Sequence, residues 1–541
     1  MSDKQIGGKE ELSMKNKLIH LGSPMPGLPE KLRKSFNYIN IPFEKIEEPN
    51  EADHAPLFIK GELNLLYSNA LFLITQEVYL TESNILKQLP ANSIIVDEAL
   101  KGSGAEAEIL KLKNAQFINF NGLEELSKYL NQTFYSGQLG FKFIFDNIRF
   151  EPYFKGKIEQ NGHNYIKFID KDIKEYQKVA NWGGPLGVAG DTLWEIRTEF
   201  KRQNETTNIR LDVSMIDPQT NEIYYTHGYE NDELNHLLPL KISNHGAYIF
   251  IEISIKGSDI DLDVGQISLR QARDGRGTLL IGEKEMVDDE AMNEQLYYYF
   301  DPGDLKPPLV VYFSGFRFSL GVEGVFMLRE LKAPSLIFGE QRVLGGAFYV
   351  GGKKFEKEII RIIQATLKKL GFTSDQLILS GLSMGTYASL YYSSYLDPQW
   401  VVVGKPLTKL GDIAANERIN RPNSFSTSLD ILQRLTGGIS DENIEQANNI
   451  FWDSFKGHDH SKTNFVITYM KEDDYDMNAF DDLYSYLHQE SPKSRIIHKG
   501  LTGRHNDDTA GIVEWFLMQI RNILTAKYGR NFKVEEATDD E

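Results

Sequence analysis

The sequence contains no cysteine, which removes thiolate nucleophiles, disulfide staples and sulfur-ligated metal sites, and neither requires nor forbids an oxidising compartment. It also lacks any run of about 18 apolar residues, the length a membrane-spanning helix needs. The opening Met-Ser-Asp-Lys-Gln-Ile-Gly-Gly-Lys-Glu-Glu has no apolar stretch of the kind that a secretory signal carries. Basic residues are in deficit: 59 Lys and Arg stand against 77 Asp and Glu, a formal net charge of -18. That balance repels nucleic-acid phosphates and anionic lipid, and no local basic patch reverses it. The expectation is a cytoplasmic protein with no nucleic-acid partner and no direct membrane span, reaching the membrane only through partners.

Phosphate loops and metal loops are missing as well. Gly22-Ser23-Pro24-Met25-Pro26-Gly27 follows an apolar run, but two prolines leave too few backbone donors for a phosphate cradle, and there is no Gly-x-Gly-x-x-Gly, so a plain loop is expected. Asp259, Asp261 and Asp263 have calcium-like spacing. Arg270 stands where a bidentate Glu would be required, and Ile260 and Leu262 interleave as in a strand, which excludes that site. His458 and His460 have no third ligand placed near them. No metal and no tightly bound cofactor are therefore expected.

What is present is a chain of 541 residues, too long for one hydrophobic core and of ordinary globular composition. Residues 1–16 are polar and expected to be disordered, and 531–541 to be a solvated acidic tail. Over 17–135, apolar runs at Lys17–Leu21, Leu71–Thr75, Ser93–Val96 and Gln116–Phe120 alternate with helix-like segments such as Glu30–Tyr38 and Leu123–Leu130. This predicts a small α/β, Rossmann-like domain with a parallel sheet.

Over 141–275 the apolar period changes to two. Phe141–Phe145, Tyr165–Phe168, Leu193–Phe200, Ile209–Ile216, Ile223–His227, Ala247–Ile255 and Gly265–Arg270 are bounded by Asn, Asp, Gly and Pro, which predicts a β-sandwich. Its Trp182, Trp194, Tyr224 and Tyr225 are candidate sugar-stacking rings, although aromatic residues in strands more often build a core.

Over 278–530, strand-like Thr278–Ile281, Gln295–Phe300, Leu309–Phe313, Ser335–Phe338, Gln376–Leu379, Trp400–Val403, Phe465–Met470 and Arg495–His498 alternate in their later part with helical segments. This predicts a mostly parallel sheet covered on both faces. The excursion at about 408–462 falls where a lid would lie.

This last part carries the chemistry. Gly381-Leu382-Ser383-Met384-Gly385 lies between a strand and a helix, the setting of a nucleophile elbow, in which the turn crowds its flanks and pushes the serine outward. Ser383 is the candidate nucleophile. A serine needs a base to take its proton and a carboxylate to orient that base, in chain order serine, acid, histidine. Asp473 is the preferred acid, with Glu472 and Asp474 close rivals. His505, on a Gly-marked loop before the last helix, is preferred over the strand residue His498. The oxyanion hole needs two backbone N–H groups. Met384 should supply one, and the Ser314-Gly315-Phe316-Arg317 loop the other, from Gly315 or Phe316.

Phe-Ser-Gly-Phe-Arg, Gly-Leu-Ser-Met-Gly-Thr-Tyr-Ala, Tyr-Met-Lys-Glu-Asp-Asp-Tyr-Asp and Gly-Arg-His-Asn-Asp together resemble the α/β-hydrolase superfamily of esterases and acyltransferases. With the two preceding domains, the layout resembles the second accessory Sec system proteins of streptococci, staphylococci and lactobacilli. The resemblance implies an O-acetyltransferase that modifies N-acetylglucosamine on serine-rich repeat adhesins during export. It also implies partnership with two sister accessory proteins and an accessory SecA motor ATPase. The family triad maps onto Ser383, an acid within 472–474, and His505. The acyl donor stays open, acetyl-CoA being one option, as does the choice between water and sugar as acyl acceptor.

Overall fold

The computed structural model describes residues 16–532, apart from 33, 34, 47–54, 82, 103, 120, 136 and 423. The expected disordered start, 1–16, lies outside the described residues except for Asn16, which opens a strand, and the expected acidic tail, 531–541, except for 531 and 532. The chain divides into two compact units, Met1–Gly137 with Pro302–Asp304, and Gln138–Asp301 with Leu305–Glu541.

The first unit holds a five-stranded sheet in which Phe36–Asn40, Asn16–Leu21, Leu71–Ile74, Ile94–Asp97 and Gln116–Ile118 are neighbours in that order, all parallel. Its apolar runs are buried on both faces, as a parallel sheet covered by helices requires. The helix-like reading of Glu30–Tyr38 is corrected: the helix is only Leu28–Leu32, and Phe36–Asn40 is the edge strand. Phe36 and Ile39 are buried there, and aromatic and β-branched residues favour a strand over a helix's second turn.

The second unit begins with a ten-stranded antiparallel sheet. Ala247–Gln271 runs as one strand of 25 residues, not two, and Tyr165–Trp182 as one of 18. The long strand pairs along one side with Tyr165–Trp182 and Gly140–Phe143, and on the other with Asn208–Ile216 and Leu193–Arg202. Its inward residues change parity twice, from Ile249, Ile251, Ile253 and Ile255 to Ile260, Leu262 and Val264, then to Ile267 and Leu269. Register shifts opposite those steps, between Ile173 and Gln177 and between Thr198 and Phe200, mark β-bulges. Bulges bend a strand, so one continuous sheet closes over a single core where two stacked sheets were expected. Asp261 and Asp263 pair with Lys167 across the ladder at 2.6 and 2.9 Å. Trp182 and Trp194 are core residues, 1% and 2% exposed, whereas Tyr224 and Tyr225 face solvent.

The unit continues into a mixed eight-stranded sheet. Its strands are β1 Lys284–Asp288, β2 Glu294–Asp301, β3 Leu309–Phe313, β4 Ser335–Glu340, β5 Leu377–Leu382, β6 Trp400–Gly404, β7 Asn464–Met470 and β8 Ile496–Leu501. They lie in the order β1-β2-β4-β3-β5-β6-β7-β8. The β2 strand is antiparallel to both neighbours, and β3 to β8 are parallel. Thr278–Ile281 is no strand: Leu279 and Leu280 donate their backbone N–H groups to the Glu283 carboxylate. The charged segment Lys284–Asp288 forms β1 instead. Helices Lys353–Leu370 and Met384–Leu396 cover one face, and Thr509–Tyr528 the other. The long excursion is three helices, Leu410–Ile419, Ser428–Thr436 and Asp441–Lys456.

Candidate active site

Ser383 sits between β5 and helix Met384–Leu396 with φ +52° and ψ −118°, a backbone conformation that costs energy for any residue but glycine. Its neighbours explain why the turn survives. A Cβ on Gly381 would lie 2.4 Å from the Gly385 carbonyl oxygen, and one on Gly385 would lie 1.9 Å from the Phe313 carbonyl oxygen. Only glycine fits at either place. The turn is pinned by Ser383 N–H donating to Gly404 O at 2.9 Å, and by the Thr386 hydroxyl donating to Ser383 O at 2.6 Å.

Ser383 Oγ lies 2.8 Å from His505 Nε2, and His505 Nδ1 lies 2.8 Å from Asp473 Oδ2. The other carboxylate oxygen, Asp473 Oδ1, accepts backbone N–H groups from Tyr475 at 2.9 Å and Asp476 at 3.3 Å. His505 and Asp473 are buried at 0% and 4% exposure. Burial lowers the pKa of His505 below 6.5, against the opposing pull of Asp473, so the imidazole is neutral at pH 7 and able to accept a proton. The edge of the Tyr475 ring packs against the imidazole, with centroids 4.2 Å apart.

The remaining acids of the run have separate duties. Glu472 accepts the Gly503 N–H. Asp474 accepts His505 N–H at 3.1 Å and pairs with Arg421 at 2.7 Å. Asp476 is buried and accepts Thr408 N–H, the Thr408 hydroxyl and Lys409 N–H; burial raises its pKa to about 6. Three of the four thus hold the loops that position the histidine and the start of the helical excursion. His498 lies in β8, away from this chain of contacts.

At the oxyanion side, Met384 N–H opens a helix and has no intrahelical partner. The Gly315 N–H is occupied: it donates to Glu323 Oε1 at 2.6 Å. Phe316 N–H makes no hydrogen bond among the described residues, and Phe316 and Met384 line the same cavity as Ser383. Glu323 also accepts the Tyr312 hydroxyl at 3.2 Å. The sequence reading missed Glu323 because nothing in Gly-Val-Glu-Gly ties it to a loop eight residues upstream.

A cavity of about 730 Å³ opens over Ser383, lined by Phe316, Phe318, Glu323, Phe348, Lys405 and Phe425 among others. Lys405, in the left-handed region at φ +60° directly after β6, is buried, and desolvation lowers its pKa. Ser424, Phe425 and Ser426, from the excursion at 408–462, also line the cavity. Phe425 packs on Phe316 and Tyr475 with centroids 5.0 and 6.0 Å apart. His458 contacts Asp397 at 2.9 Å, and His460 Nε2 donates to Phe455 O at 2.9 Å. No cluster of His, Asp and Glu able to hold a metal occurs among the described residues. No helix among them is long and apolar enough to cross a membrane.

The geometry can be set beside known proteins. Residues 25–530 match the model of the family described as Accessory Sec system GspB-transporter. A second accessory Sec system protein from Staphylococcus aureus (strain NCTC 8325 / PS 47) is 34% identical over 503 residues, 92% of this chain and 94% of that protein. Its counterpart in Streptococcus gordonii is 32% identical over 493 residues, 91% and 93% of the two chains. A chain of the Glycosylation Associate Protein (Gap123) complex from Streptococcus agalactiae superposes with a TM-score of 0.81 at 32% identity, covering 96% of this chain and 99% of its own. On that extent of match, the chain belongs to the accessory Sec system GspB-transporter family.

Proposed function

We propose that this protein is a serine-dependent O-acetyltransferase of the α/β-hydrolase type, acting on N-acetylglucosamine residues of serine-rich repeat adhesins during their export by the accessory Sec system. The observation that carries the reading is the unbroken relay Ser383 Oγ to His505 Nε2 and His505 Nδ1 to Asp473. In this reading the hydroxyl attacks the carbonyl carbon of an acetyl ester or thioester, acetyl-CoA being one such donor, as His505 takes the hydroxyl proton. Asp473 holds the Nδ1–H tautomer and stabilises the imidazolium. The Met384 and Phe316 N–H groups receive the developing oxyanion. His505 then protonates the leaving group, and an acceptor hydroxyl resolves the acetyl-serine by the same steps reversed.

The export role is supported by the family's description, and partnership with sister accessory proteins by the assembly in which the streptococcal counterpart was solved. The accessory SecA motor and the glycosylated adhesin complete the expected partners, and the reaction belongs in the cytoplasm. The test is mass spectrometry of the glycosylated adhesin made beside the parent chain or Ser383→Ala. Acetyl groups should vanish from the sugar in the variant while the chain still folds; sugar acetylation surviving in Ser383→Ala refutes the assignment. Acetate released into water with no acetylated sugar would make the protein an esterase. Export, scored separately, reports the transport role.

A further inference from the structure

Resting on the transferase reading, we propose that Glu323 and Phe318 form the acceptor subsite, which takes a hexopyranose and directs the acetyl group to a sugar hydroxyl in preference to water. Glu323 lines the cavity over Ser383, and its two oxygens are used differently. Oε1 has a structural task, accepting Gly315 N–H at 2.6 Å and the Tyr312 hydroxyl at 3.2 Å. Oε2 accepts no hydrogen bond among the described residues. The carboxylate lies close to the nucleophile's strand: a Cβ built on Gly315 would touch Glu323 Oε1 at 3.0 Å and the Leu382 carbonyl oxygen, one residue before Ser383, at 3.4 Å.

An ionised carboxylate only accepts hydrogen bonds. It therefore suits a ligand rich in hydroxyl or amide donors and repels a carboxylate or phosphate. Phe318 supplies the complementary surface. It lines the same cavity, is 61% exposed, and stands edge-on to Phe316 with centroids 5.0 Å apart. A large ring left in water at the mouth of a cavity is an open apolar platform. A pyranose has a flat apolar face and a rim of hydroxyl groups, and so matches both elements at once; water can donate to the carboxylate but gains nothing from the ring. With the sugar seated, its hydroxyl oxygen bonds to the acetyl carbon and its proton passes to His505 Nε2. The bond from that carbon to Ser383 Oγ then breaks, and Oγ takes the proton back.

The readout is the partition of one acetyl-enzyme between two acceptors, a ratio independent of how fast that intermediate forms. The full-length chain is given 4-nitrophenyl acetate with the methyl glycoside of N-acetylglucosamine, and acetylated sugar and free acetate are both quantified. Glu323→Gln keeps an amide oxygen for Gly315 N–H and removes the charge. It should lower the sugar-to-acetate ratio roughly tenfold or more, the weight of a hydrogen bond to a charged group. Phe318→Ala should lower the ratio several-fold and raise the sugar concentration needed for half-maximal transfer. A ratio within about twofold of the parent in either variant, even with total turnover reduced, overturns the assignment of that residue and leaves Glu323 as a prop for Gly315. If the parent itself forms acetate and no acetylated sugar, the transferase reading falls and the subsite with it. If Ser383→Ala abolishes both products while Glu323→Gln leaves the ratio unchanged, the transferase reading stands and the subsite alone falls.

Discussion

Replacing Asp473 with Asn tests the relay at constant side-chain size, because the two oxygens of Asp473 face different kinds of group. Oδ1 receives two backbone N–H donors, from Tyr475 and Asp476, and Oδ2 receives His505 Nδ1–H. An asparagine has one acceptor end and one donor end. The two backbone donors claim its oxygen, so its NH₂ must face His505 Nδ1. That nitrogen then has to be an acceptor, the imidazole proton moves to Nε2, and Nε2 becomes a donor towards Ser383 Oγ 2.8 Å away. A base in that tautomer cannot take the serine proton. The expected loss is roughly 10⁴-fold in kcat, the size found when a triad aspartate is made Asn and the tautomer inverts, or about 5 kcal/mol of barrier.

The assay is the pre-steady-state burst of nitrophenol from 4-nitrophenyl acetate, with thermal melting to show that the fold persists. Asp474→Asn is the contrast. Among the described residues Asp474 accepts the His505 backbone N–H and pairs with Arg421, so its loss loosens the histidine loop without inverting the tautomer, and about tenfold is expected. Asp473→Asn retaining more than about a tenth of parental activity, or Asp474→Asn proving the more damaging, would refute the reasoning.

Two further outcomes follow from buried charge. Burial lowers the pKa of His505 below 6.5, and the base must be neutral to act, so kcat/KM for acylation should fall as pH drops, with a midpoint below 6.5; a midpoint at or above 6.5 contradicts it. Arg342 and Glu340 are paired at 0% and 1% exposure, and Glu340 also accepts the N–H groups of Arg342 and Tyr349. Arg342→Met removes the cation facing that carboxylate and should cost about 3–5 kcal/mol, read as a Tm lower by roughly 5 °C, with Glu340→Gln added to it restoring part of the loss. A fall below about 1 kcal/mol would mean that the pair is not needed.

The elbow and the order of the site groups were legible because each is locally encoded. Crowding at Gly381 and Gly385 is written into Gly-x-Ser-x-Gly, and a serine, an acid and a histidine after β5, β7 and β8 need only the alternation of strand and helix to meet. The five-stranded parallel sheet was legible for the same reason, through its apolar runs. What escaped depends on distant partners. Ala247–Gln271 reads as two strands because its apolar alternation changes parity after Ile255 and again after Val264, yet Asp261 and Asp263 face Lys167 across the ladder and bulges carry the strand through. Phe36–Asn40 has helix-compatible flanks and becomes a strand only beside Asn16–Leu21. Lys284–Asp288 has a charged sequence and becomes β1 because β2 offers it a ladder.

The acid run shows the same limit from within the site. Glu472, Asp473 and Asp474 are consecutive, so composition and spacing treat them alike, but each side chain leaves the loop in a different direction. Glu472 meets Gly503, Asp473 meets the imidazole, and Asp474 meets the His505 backbone and Arg421. Arg421 in turn lies over the Tyr475 ring, 3.8 Å from its centroid, and that ring packs on both His505 and Phe425. The helical excursion therefore does more than line the cavity: through Arg421 and Phe425 it braces the Tyr475 ring that packs on the histidine. A shortened excursion that removes Arg421 would disturb the imidazole even if every residue of the relay were kept, which is why the excursion belongs to the site itself.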